Sequence, residues 1–182
     1  MDSADFQELL QGARVGQDEA WAAIYEDLAP ALLGYLRAQG AAEPEDLLGE
    51  VFLQMVRDIA GFAGDRGRFR AWAFAIAHHR LIDDRRYRAR RPVQPASAEV
   101  LAESQRQYRL AESEAVVDRR VAGALRRLPE DQRTVILLRV LGDLSISDVA
   151  RMLGKTPGAV KAAQRRAFAT LKRQLTKLTV TL

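Results

Sequence analysis

Lys161, Arg165 and Arg166 lie four and one positions apart near the C-terminus, and Lys172 and Arg173 follow on the same stretch. Counted at about 100° per residue from Val160, these five cations fall on one side of a helix. Ala163, Ala167 and Leu171 fall on the other. Such a helix can rest on a core and offer guanidinium and ammonium groups to phosphates and guanine edges in the DNA major groove. An ordinary solvated face is the alternative, but it mixes in acids for i,i+4 pairing. No Asp or Glu follows Asp148. A second cationic group, Arg80, Arg85, Arg86, Arg88, Arg90 and Arg91, comes after Phe69, Trp72 and Phe74. Rings interleaved with arginines suit a single strand, whose bases stack while its phosphates pair. The competing reading places Trp72 and Phe74 in the core.

Other chemistries are poorly supplied. Cysteine is absent, which excludes disulfide frameworks, thiol nucleophiles and zinc ribbons. His78 and His79 are the two histidines, and the pair of His79 with Asp83 lacks a third ligand, so no metal site is expected. No phosphate-binding glycine loop and no nucleophile–base set occurs, so neither catalytic residues nor a cofactor are expected. With 182 residues, 48% apolar and 29% charged, the chain has the material for a folded core. It has no run of about 18 apolar residues. Its acidic start, Met1-Asp2-Ser3-Ala4-Asp5, differs from a secretory signal, so a cytoplasmic location without membrane contact is expected.

The elements that must position the cations read as helices throughout. Phe6, Leu9, Leu10 and Ala13 share a face, as do Trp21, Ile24, Tyr25, Leu28, Leu32 and Leu36, with Pro30 expected to kink or split the second helix. Pro44-Glu45-Asp46 starts another, with Leu47, Leu48, Val51, Phe52, Met55, Val56 and Ile59 as its apolar stripe. Gly61, Gly64 and Gly67 mark a loop, and a helix is expected from about Phe69 to Arg88. Pro92 and Pro95 open a polar, acidic stretch that reads as a linker; its 24 residues, 92–115, give a coil span of roughly 25–30 Å. Helical period returns from Val116.

Ser145 with Asp148 forms a variant capping box for a helix over 146–153. Gly154 turns the chain, and Thr156-Pro157 caps the next helix. Ala150, Gly154 and Val160 have the spacing of a helix-turn-helix. The fold class expected is all-α, with two small helical domains, 1–91 and 116–182, joined by a flexible linker over 92–115. Charge is segregated along the chain. Residues 1–60 hold twelve acids against three arginines, residues 61–92 nine arginines against three aspartates, and residues 155–182 seven cations and no acid. Two polyanion contacts and a separate acidic surface fit this pattern.

In this order, the segments resemble a bacterial RNA polymerase sigma factor of the extracytoplasmic-function group, which has two helical domains called regions 2 and 4. Ala20–Tyr25 through Leu32–Leu36 is similar to the first helices of region 2. Pro44–Phe52 resembles the helix that grips the clamp helices of the largest polymerase subunit. Phe62–Trp72 resembles the loop that captures a flipped −10 base, and Ile76–Asp83 the helix that reads and melts the −10 element. Leu128–Arg133 and the helix-turn-helix resemble region 4, which binds the −35 element. Two positions depart from the usual pattern, Gly49 where Gln is frequent and His79 where Asn is common.

The resemblance implies a promoter-specificity subunit without catalytic chemistry of its own. It implies −35 contacts by Lys155, Thr156, Lys161, Ala162, Arg165, Arg166 and Arg173. It implies −10 contacts by Phe62, Arg66, Arg68, Trp72, His79, Arg80, Arg85 and Arg86, and core-polymerase contacts by Asp46, Leu47, Glu50, Val51 and Gln54. The partners implied are core polymerase and promoter DNA, with an anti-sigma factor as a further one, and the chain is expected to be a monomer when unbound. The alternative reading is a free-standing helix-turn-helix regulator, which would dimerise to meet two half-sites.

Overall fold

The computed structural model describes residues 3–90 and 114–179. Among these, eight α-helices and a single 3-10 turn occur, and no strand. The tether expected over 92–115 lies outside the described residues except at 114 and 115, which already belong to a helix.

Helix α1 (Ser3–Arg14) buries Phe6, Leu10 and Ala13. Helix α2 (Asp18–Ala38) runs through Pro30 as one helix, so of the expected kink or split the split does not occur. Pro30 is exposed while Leu28, Ala29, Leu32, Tyr35 and Leu36 are buried on either side of it. The apolar face is therefore continuous across the proline, and its burial outweighs the one missing backbone donor. Gly40, at φ +79°, ends α2. Gly40 N–H donates to Arg37 O and Ala41 N–H to Leu36 O, the paired bonds of a Schellman stop.

Helix α3 (Pro44–Asp58) has proline in its first turn and continues into a 3-10 turn, Ile59–Gly61. Helix α4 (Arg66–Arg90) begins three residues earlier and ends two later than expected. The Asp65 carboxylate accepts the Arg68 N–H at 2.8 Å, so Asp65 caps the helix and Gly67 falls inside its first turn. These four helices enclose Leu32, Tyr35, Leu36, Val51, Met55, Ala73, Phe74, Ala77 and Leu81, all fully buried.

The second group comprises α5 (Glu114–Arg126), α6 (Glu130–Val140), α7 (Ile146–Leu153) and α8 (Pro157–Thr179). Its core is Ala124, Leu128, Val135, Leu138, Val149, Val160 and Ala167. Helices α7 and α8 form the expected helix-turn-helix. Ser145 Oγ accepts the Asp148 N–H at 3.1 Å, Gly154 takes φ +62°, and Thr156 Oγ1 accepts the Ala159 N–H at 3.2 Å. Helix α6 packs against α8 and α7 and also against α2 of the first group, and α4 touches α7.

Candidate nucleic-acid interface

Helix α8 sets Val160, Ala163 and Ala167 into the core. That register turns Lys161, Arg165, Arg166, Lys172 and Arg173 outward, where all five are exposed. Lys161, Arg165 and Arg166 make no ion pair with a described residue. Small Ala162 is half-buried beside them. At the start of the helix Lys155 Nζ donates to Asp131 Oδ2 at 2.7 Å, and Thr156 is occupied as the cap. Arg173 Nη2 reaches Thr170 Oγ1 at 3.4 Å. The result is a row of cations with their charge directed to solvent, mounted on a rigid, capped turn. Such a surface binds a polyanion through phosphate pairing.

On the other group, two of the residues expected at a single strand, Phe62 and Trp72, meet at a cleft. Phe62, Phe69 and Trp72 form a ring triangle with centroid separations of 5.2, 5.2 and 5.5 Å. Phe69 is buried, whereas Phe62 and Trp72 are half-buried and line an open cleft with Arg57, Asp58, Gly61 and Ala63. Trp72 thus packs in part against the core, as the competing reading had it, and in part lines the cleft. Helix α1 pins the loop: Arg14 Nη2 donates to Phe62 O at 2.6 Å and Gln7 Nε2 to Gly64 O at 3.1 Å.

The arginines of this group are mostly engaged. Arg66 Nη2 pairs with Asp27 Oδ1 at 2.6 Å. Arg80 Nε donates to Gln54 Oε1 at 2.9 Å. Arg85 bonds Glu130 Oε1 and the carbonyl of Gln39, and Arg86 lies 3.6 Å from Asp83. Arg68 and His79 are exposed. Among the described residues no group of three or more potential ligands is placed to hold a metal ion.

His78 turns inward and meets Tyr35 Oη with its Nδ1 at 2.8 Å. Arg133 Nε donates to Gln39 Oε1, so the Gln39 amide nitrogen donates to Thr134 Oγ1 at 2.8 Å and to Tyr35 Oη at 3.4 Å. Tyr35 must then donate to an unprotonated His78 Nδ1. Burial, followed by the neighbouring His79 and Arg85, holds His78 below the usual imidazole range, and burial pushes the Tyr35 hydroxyl up. Both directions agree with this assignment.

The residues expected to bind polymerase separate on α3. Asp46 and Glu50 are exposed on one side of the helix, and Gln54 is half-buried. Leu47 and Val51 are 6% and 0% exposed and face the core of the chain instead. The apolar surface left outward is Leu53 and Val56, with Phe52 half-buried and its ring tilted against exposed Tyr25, centroids 4.8 Å apart. Leu53 lies outside the apolar stripe read from the sequence for this helix, and Tyr25 belongs to the apolar face read for the second helix. Gly49 sits mid-helix with open space where a Cβ would be.

Comparison with known proteins follows the same division. Residues 24–91 match the family model for sigma-70 region 2, and residues 118–171 that for sigma-70, region 4. The chain is 33% identical over 178 residues to the ECF RNA polymerase sigma factor BldN of Streptomyces coelicolor, covering 96% of this chain and 67% of the relative. It is 32% identical to the ECF RNA polymerase sigma factor ShbA of Streptomyces griseus, covering 90% of this chain and 92% of that one. Among solved structures, CnrH in complex with the cytosolic domain of CnrY is similar at TM-score 0.64 and 25% identity, over 93% of this chain and 96% of that one. RpoE in complex with the anti-sigma factor NepR from Bartonella quintana shares the fold at TM-score 0.65 and 21% identity, over 85% and 96%.

Proposed function

The chain belongs to the ECF RNA polymerase sigma factors, non-catalytic initiation factors that direct core polymerase to promoters, and from that premise we propose how its residues divide the work. Residues 1–91 form the region 2 part, which meets core polymerase and the −10 element. Residues 116–182 form the region 4 part, which meets the −35 element, and 92–115 is the tether.

The single observation that carries the −35 assignment is the outward cationic row Lys161, Arg165 and Arg166, which makes no ion pair with a described residue, on the second helix of a capped helix-turn-helix. Lys155, Thr156, Ala162 and Arg173 flank it, and bases are read by whichever of these side chains reach the groove floor. At −10, the open cleft lined by Phe62 and Trp72 is where an unstacked base would be received, and His79 and Arg68 are exposed on the same helix as Trp72. Arg66, Arg80, Arg85 and Arg86 join only after exchanging their present carboxylate, amide or carbonyl partners for phosphate. The polymerase face is Asp46, Glu50 and Gln54 with Leu53 and Val56. Apolar groups anchor such an interface, and rim charges tune its on-rate and specificity. Leu47 and Val51 support this face from beneath.

Of two solved neighbours, CnrH is in complex with the cytosolic domain of CnrY, and the sigma factor RpoE is in complex with the anti-sigma factor NepR. A partner of that kind is part of the reading here, as are monomeric behaviour when unbound and work in the cytoplasm. No helix among the described residues is long and apolar enough to cross a membrane. The dimeric-regulator reading is not favoured, because relatives align over both helical groups rather than over the helix-turn-helix alone.

Size-exclusion chromatography with bacterial core polymerase tests the assignment. Co-elution as a one-to-one complex is expected, with the chain alone running as a monomer. A dimer that ignores core polymerase contradicts it.

A further inference from the structure

Helix α1 carries Gln7 and Arg14 seven positions apart. At about 100° and 1.5 Å per residue they differ by about 20° around the helix and stand about 10 Å apart along it. Phe6, Leu10 and Ala13 are buried beside them. The buried face fixes the roll of α1, and that roll aims both polar side chains at one neighbour, the segment between the 3-10 turn and α4.

Residues 62–65 of that segment lie between two helical ladders. Arg14 Nη2 donates to Phe62 O at 2.6 Å, Gln7 Nε2 donates to Gly64 O at 3.1 Å, and Arg66 Nη2 donates to Asp27 Oδ1 of α2 at 2.6 Å. Every second residue from 62 to 66 is thus held from α1 or α2. Of the residues between them, Ala63 lines the cleft and Asp65 caps α4.

The segment has little slack. A Cβ on Gly64 would sit 3.1 Å from Phe62 Cζ and 2.9 Å from Arg68 Cβ, so the Phe62 ring lies close over this backbone. The same ring meets Phe69 and Trp72 at 5.2 Å each, and Phe69 leans on Phe6 of α1 at 5.5 Å. A carbonyl shift at 62 or 64 therefore moves the wall of the cleft.

Gln7 and Arg14 are exposed, and water can satisfy either carbonyl once its donor is removed. Water does not hold the carbonyl in a fixed place. We propose that Gln7 and Arg14 are positioning residues for promoter opening, clamping the 62–64 backbone so that the cleft stands preformed for an unstacked −10 base. A preformed site avoids the ordering cost that a loose loop meets on binding. The proposal rests on the base-capture reading above. It extends the −10 apparatus to a helix that precedes the region 2 match, which starts at residue 24.

The test uses the full chain in complex with Streptomyces coelicolor core polymerase, and a fluorescent single strand that this complex selects from a randomised pool. An abasic site is placed at each position of the strand in turn, and anisotropy gives the affinities. With the native chain, loss of the base at one position should weaken binding about tenfold or more. Gln7→Met combined with Arg14→Met removes both donors and keeps the side-chain stems. This variant should cut that ratio to about threefold or less, and the lost charge cancels in the ratio. Leu10→Ala opens a cavity under α1 and keeps both donors, so it should lower the melting temperature and leave the ratio unchanged. A native ratio in the donor variant, or an equal fall in Leu10→Ala, overturns the proposal alone. No selected strand, or a flat abasic scan with the native chain, overturns the base-capture reading and the proposal with it.

Discussion

Arg80 of α4 donates from Nε to Oε1 of Gln54 on α3 at 2.9 Å, and its Nη1 lies 3.8 Å from Glu50 Oε2. One side chain assigned to the −10 strand is thus held by two assigned to the polymerase. On the proposed assignment, polymerase that engages Glu50 and Gln54 would release Arg80 from its tether and leave it available to phosphate. The coupling is small in energy, since exposed pairs contribute about 0–1 kcal/mol, but its sign is definite.

Gln54→Leu should therefore raise the affinity of the unbound chain for a −10 single strand by about two- to fivefold, the release of roughly 0.5–1 kcal/mol. Fluorescence anisotropy with and without core polymerase measures it. Unchanged or weaker binding would show that Arg80 plays no part at the strand.

The polymerase face yields a second expectation. Asp46→Ala with Glu50→Arg should weaken core binding by about tenfold, ~1.4 kcal/mol, and Leu53→Asp should weaken it further. All three positions are exposed, so helix content by circular dichroism should hold. Native affinity at matched salt would reduce this face to a solvated surface.

Much of this site was readable from local pattern. Ser145, Gly154 and Thr156 act on backbone groups within a few positions of themselves, so the helix-turn-helix and the outward side of α8 follow from spacing alone. The start of α4 was obscured because glycines at 61, 64 and 67 outweighed the single cap at Asp65. On α3, seven apolar residues form a stripe too wide to show which edge faces inward. That choice belongs to α2 and α4, and it buries Leu47 and Val51 while exposing Val56. The pairing of Arg66 with Asp27, and of Arg85 with Glu130, joins residues about 40 positions apart and leaves no local trace.

Acid should loosen the fold through His78. Its folded value lies below the ordinary one, so as pH falls through about 6.5 the unfolded chain takes up the proton first. The contribution to stability is therefore fully present above that pH and is lost below it. Protonation also removes the acceptor for the buried Tyr35 hydroxyl. Between pH 7.5 and 5.5 the melting temperature should drop, and His78→Gln should flatten the slope. Parallel curves for the two proteins would contradict this.

Two glycines should respond in opposite directions. A Cβ on Gly142 would meet Leu138 O at 2.5 Å, so Gly142→Ala should cost about 1–3 kcal/mol in urea unfolding. Gly49 is exposed mid-helix with nothing within 4 Å of its Cβ position, so Gly49→Ala should stabilise by up to ~1 kcal/mol. Equal effects at the two sites would contradict the packing described.

The most direct measurement is promoter-dependent transcription by core polymerase with the native chain and with the Lys161→Ala, Arg165→Ala, Arg166→Ala variant. The account predicts a defined start site with the native chain. The variant should lose about tenfold or more of that transcript, as expected for even one bidentate base contact worth ~1–3 kcal/mol, while still co-eluting with core polymerase. Full transcript from the variant at the same start site would contradict the assignment of α8 to the promoter.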